Sequence, residues 1–288
     1  MRAEQLQDAE VAIVGLGLMG GSLAAALSER RACRRVVGVA RREESITHAL
    51  SLGIIDAGTL DLQAGVRSAD IVILATPVRT ILQEIREIGP LLPQGCLLTD
   101  LGSTKVEIVR AMQALPPHVQ PVGGHPMCGK ETSGLGAADA RLYDGATYLM
   151  TPLPRTRPAT VALIEELIQS IGAKPYRIDA ERHDLLVGAI SHLPYVLSAG
   201  LVATVDALED DIAWTIAASG FRDTSRLAAS DETMMVDILL TNRASLQELL
   251  ALLQVQIAQL EGWLAAEDEA RLCAALQKTA RRRRSLFQ

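Results

Sequence analysis

The sequence is short of the features that mark secreted, membrane-spanning or nucleic-acid-binding chains. Its four cysteines, Cys33, Cys96, Cys128 and Cys273, are scattered through 288 residues without a C-x-x-C pair, so no disulfide framework is implied. The opening MRAEQLQDAE has no apolar signal core, and the expectation is a reduced, cytoplasmic compartment with no metal site. No apolar run approaches the roughly 18 residues needed to cross a bilayer, so a soluble chain with no membrane partner is expected. A net charge of −6 leaves no broad basic surface for nucleic acid. The single basic block, Arg281 to Arg284, is expected to be a solvated, frayed end. Internal repeats and low-complexity segments are also missing.

What is present is a chain with 49% hydrophobic and 22% charged residues, a composition that folds and buries a sizeable core. Its length favours two domains. The stretch VAIVGLGLMGGSLAAAL (11–27) sets the branched residues Val11, Ile13 and Val14 ahead of Gly15, Gly17 and Gly20, with Leu23 and Leu27 following at helical spacing. Strand, tight turn and helix in that order make a dinucleotide cradle: the first glycine permits the turn, the second admits a pyrophosphate, and the third lets helix and strand close up. Leu18 and Met19 lie within the same turn. A packing turn with no ligand remains the alternative for these residues alone.

RRVVGVARR (34–42), SADIVILATPV (68–78) and CLLTDLGS (96–103) read as further strands, separated by helical stretches such as Thr80–Ile88 and Val106–Leu115. That alternation predicts a Rossmann-type α/β fold with a doubly wound parallel sheet. Gly15, Ala40, Thr76 and Ser103 stand at the carboxyl ends of the strands and are expected to line one crevice, with Ala75 and Pro77 flanking Thr76. After a Pro-rich connection (151–160), a helix and a last strand (173–178), strand signals stop. Leu246, Leu249, Leu250, Leu253, Ile257, Leu260 and Leu264 recur at steps of three and four, the mark of an amphipathic helix. The reading is a cofactor domain over 1–179 and an all-α domain over 180–288 that covers its stripe in a homodimer.

At the end of the second strand, Ala40-Arg41-Arg42 stands where an NAD-selective fold usually has an acid. Arginines there favour NADP, with NAD as the alternative. The segment VGGHPMCGKETSG (122–134) places His125 in irregular backbone after a further strand, as an acid–base group or as a structural histidine. In the helical half, SHLPY holds His192, and SGFRDTSRLA clusters Arg222, Asp223 and Arg226. One arginine can hold a carboxylate while the other pairs with Asp223, or the group is a surface ion pair.

Together GLGLMGGSLA, LATPV, DLGSTK, GGHPMCGKETSG, SHLPY and SGFRDTSRLA resemble, in order and spacing, the prephenate/arogenate dehydrogenase family of tyrosine biosynthesis, from Val11 to about Leu264. The resemblance implies an NAD(P)-dependent oxidoreductase that removes hydride and carbon dioxide from a small cyclohexadiene substrate. It implies that His125 accepts the substrate's hydroxyl proton and that Ser103 touches the same hydroxyl. Arg226, or secondly Arg222, is then the carboxylate ligand, His192 and Tyr195 lie near the substrate, and Glu131 gates the pocket. Where prephenate-using members often read H-L-P-H, this chain has Tyr195 after His192-Leu193-Pro194. Prephenate and arogenate therefore both stand as substrates, as do a different NADP-dependent hydroxyacid dehydrogenase or imine reductase and, more remotely, a sensor that binds cofactor without chemistry.

Overall fold

The computed structural model describes residues 4–130 and 132–286. Glu131, expected at the pocket, lies outside them. The chain divides into two compact units, Met1–Asn242 and Arg243–Gln288.

The first unit opens with β1 (Glu10–Val14), α1 (Leu18–Glu29), β2 (Arg35–Val39), α2 (Glu43–Ser51), β3 (Ala57–Thr59) and α3 (Leu62–Val66). It continues with β4 (Ile71–Leu74), α4 (Val78–Ile88), β5 (Leu97–Asp100), α5 (Val106–Gln113), β6 (Gln120–Pro126), β7 (Thr147–Pro152), α6 (Pro158–Ser170) and β8 (Lys174–Arg177). These strands form one sheet in the order β3-β2-β1-β4-β5-β6-β7-β8. Every neighbouring pair is parallel except β6 and β7.

Side chains of a strand alternate between faces, and the two faces fill separately. Val11, Ile13, Ile71, Ile73 and Leu97 join a core with Leu23 and Leu27 of α1 and Ile164, Leu167 and Ile168 of α6. Ala12, Val14, Val72, Leu74 and Leu98 join another with Ile81 and Ile85 of α4 and Ile108 and Met112 of α5. Burial on both faces is why the strands read as unbroken apolar runs rather than alternating ones.

From α7 (Ala180–Val187) onward the described chain is helical: α8 (Leu193–Asp206), α9 (Asp211–Thr215), α10 (Ser219–Ser225) and α11 (Glu232–Thr241) complete the first unit. A wide π-helical turn at Gly188–His192 joins α7 to α8. Pro194 accounts for it, since proline has no N–H to donate and its ring crowds the preceding turn. The second unit is a helical pair, α12 (Arg243–Ala265) and α13 (Glu269–Leu286), reversed through Glu267 at φ 53°.

Several expectations need correction. β7 runs antiparallel, and the expected connection after 151 begins only once that strand ends at Pro152. His125 lies within β6, paired with Leu149 of β7, and not in irregular backbone. Arg281–Arg284 are exposed but helical, inside α13 rather than frayed. Ala180–Asp206 also forms 27 continuous helical residues long and apolar enough, by length and composition, to cross a membrane. Polar residues, His183, Asp184 and His192 among them, interrupt its apolar run in the sequence.

The cradle after β1 has the expected shape. Gly15 turns at φ 99° and donates to the Val39 carbonyl at 2.9 Å. A Cβ on Gly20 would collide with the Gly15 carbonyl oxygen, whereas a Cβ on Gly17 would meet nothing within 4 Å. The third glycine is thus needed for packing, and the second faces open space where a phosphate fits. Gly20→Ala should destabilise the chain by about 1–3 kcal/mol, as overpacking does, read as a lower midpoint in chemical denaturation. An unchanged midpoint would contradict the close approach.

Candidate active site

The carboxyl ends of β2, β1, β4, β5 and β6 are neighbours in the sheet, and they carry Ala40, Gly15, Thr76, Ser103 and His125 in that spatial order. Four strand spacings of about 4.8 Å make a row of roughly 19 Å, with the dinucleotide cradle toward one end and the histidine at the other. Thr76 donates its hydroxyl to Glu84 of α4 at 2.6 Å. Burial pushes the Glu84 carboxyl up to about 7, opposed by the Thr76 hydrogen bond and, more weakly, by the charge of Arg41. Arg41 and Arg42, which follow Ala40 at the carboxyl end of β2, are both exposed.

Strand β6 reaches His125 because β5 receives it closely. Asp100, fully buried at the end of β5, accepts from Gly124 N at 3.0 Å and Gly102 N at 2.8 Å. A side chain on Gly124 would strike the Asp100 carbonyl. Lys105, also fully buried, pairs its Nζ with the same carboxylate.

His125 faces a second histidine: its Nδ1 lies 2.9 Å from His183 Nε2 on α7. His183 Nδ1 lies 2.8 Å from Asp184 Oδ1. The Asp184 carboxylate also accepts Lys105 N at 2.6 Å and Val106 N at 2.9 Å, the first amides of α5. Helix N-termini favour such an anion.

This geometry fixes the protons. A carboxylate only accepts, so His183 carries a proton on Nδ1, and because burial lowers its pKa the ring is neutral and its Nε2 is bare. His125 must then donate from Nδ1, leaving its own Nε2 as a free acceptor. Burial chiefly, with help from His183, Lys105 and His192, holds His125 well below the ordinary imidazole range. It is a neutral base at physiological pH.

The π turn brings His192 to Asn242, the last residue of this unit. Asn242 Nδ2 donates to the Asp184 carbonyl at 2.7 Å and to His192 Nδ1 at 3.0 Å. His192 is therefore left with its proton on Nε2, and burial pushes it down to about 4. Ser103 is half-buried, and among the described residues no hydrogen bond occupies its hydroxyl. Tyr195 is half-buried on the first turn of α8. Arg222 is exposed and reaches only its neighbour Asp223, at 3.5 Å. Arg226 is exposed on the short helical turn after α10, which packs against α8. The structure thus joins His125 and His192 through one network, seats Ser103 beyond the adjoining strand β5, and pairs Arg222 with Asp223.

The sequence reading passed over Asp100, Lys105, His183, Asp184 and Asn242. Asp100 and Lys105 lay inside the quoted TDLGSTK, and adjacent His-Asp at a helix start was the only hint of the other pair. Lys105→Met would leave Asp100 charged and unpaired in the interior, and should cost about 3–5 kcal/mol of stability in a denaturant titration. A loss under about 1 kcal/mol would mean that the pair carries little.

Comparison with known proteins identifies the family. Residues 23–177 match the family model described as the prephenate dehydrogenase nucleotide-binding domain, and 179–278 match its dimerization domain. Prephenate dehydrogenases of Bacillus subtilis and Lactococcus lactis are each 37% identical, over 83% and 81% of this chain, which spans 65% of the length of either. The cyclohexadienyl dehydrogenase of Zymomonas mobilis is 33% identical over 90% of this chain and 89% of its own. Among solved structures, Aquifex aeolicus prephenate dehydrogenase with hydroxyphenyl propionate and NAD+ superposes with a TM-score of 0.89 at 30% identity, covering 96% of this chain and 98% of that one. Synechocystis arogenate dehydrogenase superposes at 0.84 and 30%, covering 96% and 100%. With a nucleotide cradle and a buried histidine network on one sheet edge, and both family models matched in order, the chain belongs to the prephenate dehydrogenase family.

Proposed function

We propose that the chain oxidatively decarboxylates prephenate to 4-hydroxyphenylpyruvate in tyrosine biosynthesis, using a nicotinamide cofactor. The observation that carries this reading is the bare Nε2 of His125 at the sheet edge that also holds the glycine cradle. Bound nicotinamide supplies the hydride acceptor; Gly15, Gly17, Leu18, Met19 and Gly20 would hold its phosphates, with Ala75, Thr76 and Pro77 beside them. As hydride leaves the carbinol carbon, positive character builds there, and His125 Nε2 relieves it by taking the hydroxyl proton. Loss of the ring carboxylate as carbon dioxide makes the ring aromatic, and the proton returns from His125 to the phenolate oxygen. Ser103 and the His192 Nε2–H supply further donors. Arg226, or secondly Arg222, is assigned to a substrate carboxylate.

Arogenate is the second reading, and Tyr195 favours it: a phenol cannot carry positive charge toward a second side-chain carboxylate as a histidinium can. Arg41 and Arg42 favour NADP over NAD by offering charge to a 2′-phosphate. Division of labour follows the change of structure near 179, with cofactor binding before it and substrate binding and dimerisation after it. The dimer is supported by apolar surface left uncovered in one chain, including Ile190 at 69% and Ile216 at 72% exposure, and Ile257, Leu260 and Leu264 on α12. Such a face suits a second copy, and with four free thiols it fits a cytoplasmic homodimer.

Steady-state rates with prephenate and arogenate, each with NAD and NADP, test the assignment, with carbon dioxide and reduced nicotinamide followed together. His125→Asn should lower kcat by roughly 10²–10⁴-fold with little change in cofactor KM. Nicotinamide reduction without carbon dioxide would point instead to a different dehydrogenase. Because protonation silences a base whose pKa is lowered, kcat/KM should stay level through neutral pH and fall only below the ordinary imidazole value of 6.5. An acid limb at or above that value would contradict the neutral base. Arg41→Ala should raise the NADP KM about tenfold or more while sparing NAD; equal effects on both would remove the NADP preference.

A further inference from the structure

We propose that His183 and Asp184 are positioning residues for His125, acting with it as one unit that fixes which imidazole nitrogen is bare and stabilises the imidazolium formed when that nitrogen takes a proton. The inference rests on the reading of His125 as the base and extends it to residues that touch neither substrate nor cofactor.

His183 is fully buried, with its two nitrogens 2.8 Å from a carboxylate oxygen and 2.9 Å from the His125 ring. Both distances are hydrogen bonds, and each dictates the direction of the next. Were His183 to present a proton on Nε2, His125 would have to carry its own proton on the catalytic nitrogen. The Asp184 carboxylate excludes the neutral Nε2–H tautomer, burial holds the His183 pKa below the ordinary imidazole value and so disfavours the doubly protonated ring, and two backbone amides at the start of α5 hold the carboxylate still.

Charge leads to the same assignment. The charged and titratable groups around His125 are His183 and Asp184 from α7, Asp100 from β5, Lys105 ahead of α5, Tyr148 from β7 and His192 from the π turn. Asp100 is already neutralised by Lys105. Asp184 is thus the anion available to a positive charge on His125, relayed through one imidazole. The proton need not travel to it; the carboxylate stays ionised while the His125 Nδ1–H bond strengthens.

Four variants of the full chain, set against His125→Asn, test this, each first checked for folding by chemical denaturation and by binding of reduced nicotinamide cofactor. Asp184→Asn should lower kcat roughly 10²–10⁴-fold at nearly unchanged KM, and move the acid limb of kcat/KM to lower pH because an anion is lost. His183→Gln, which keeps an acceptor toward His125 Nδ1, should retain more activity than His183→Leu. Asp184→Asn combined with His125→Asn should be no slower than His125→Asn alone. Should Asp184→Asn fail to fold, the two His183 variants decide the matter, since they leave the α5 amides capped.

Nitrogen-15 NMR of the cofactor-free protein gives a readout independent of turnover. The wild type should show His125 protonated at Nδ1, and His183→Leu should show a mixture of tautomers. An Nε2-protonated His125 in the wild type, or His183→Leu and Asp184→Asn with wild-type kcat and pH profile, would overturn the positioning role. If those variants are active while His125→Asn is dead, the base survives and only this inference falls. If His125→Asn is itself active, the base reading falls instead.

Discussion

The buried carboxylate of Asp184 is the constraint on which the site depends. It closes three relations at once: it caps α5 through Lys105 N and Val106 N, it orients His183, and its residue's carbonyl receives Asn242. An isolated carboxylate in this interior would be costly, and the cost is offset only when every lone pair finds a donor. The carboxylate's donors come from the start of α5 and from His183 on α7, while the Asp184 carbonyl takes Asn242 from beyond α11. Helices that follow the sheet are therefore tied to its carboxyl edge by a polar requirement as well as by apolar packing.

That dependence explains an oddity of α7 and α8. By length and composition the 27-residue helical run is apolar enough for a bilayer, yet it carries His183, Asp184 and His192, each buried and each hydrogen-bonded. Beyond the His183–Asp184 pair itself, their partners are His125, the amides at the start of α5 and Asn242. The apolar remainder leaves Leu186, Ile190 and Leu197 exposed in one chain, within the stretch that matches the family's dimerization domain.

Much of the α/β half was legible because its signals are local. Branched runs ending in small residues mark strands buried on both faces, and three glycines announce a turn whose tolerances the structure reproduces: φ 99° at Gly15 and open space at Gly17. β7 was missed because TYLMTP ends in proline and sits beside a Pro-rich stretch, which argues against a strand until the antiparallel edge of β6 is known to be waiting. His125 was recognised as a residue but misplaced in its backbone for the same reason. G-G-H-P has poor strand propensity, and what makes it extended is tertiary: Asp100 on one side and β7 on the other.

The network behind His125 was illegible for a different reason. His183 and Asp184 are 58 and 59 positions away in sequence, beyond the presumed domain boundary, and a His-Asp pair at a helix start usually signals only capping. Their role appears only when hydrogen-bond direction is followed through space from a group that cannot donate. A site read from sequence shows which residue types can do chemistry. Which nitrogen is bare, and hence whether His125 can act as a base at all, is decided by residues that carry no motif. The carboxylate-to-imidazole-to-imidazole order is what leaves a buried histidine with one nitrogen committed to the network and the other bare.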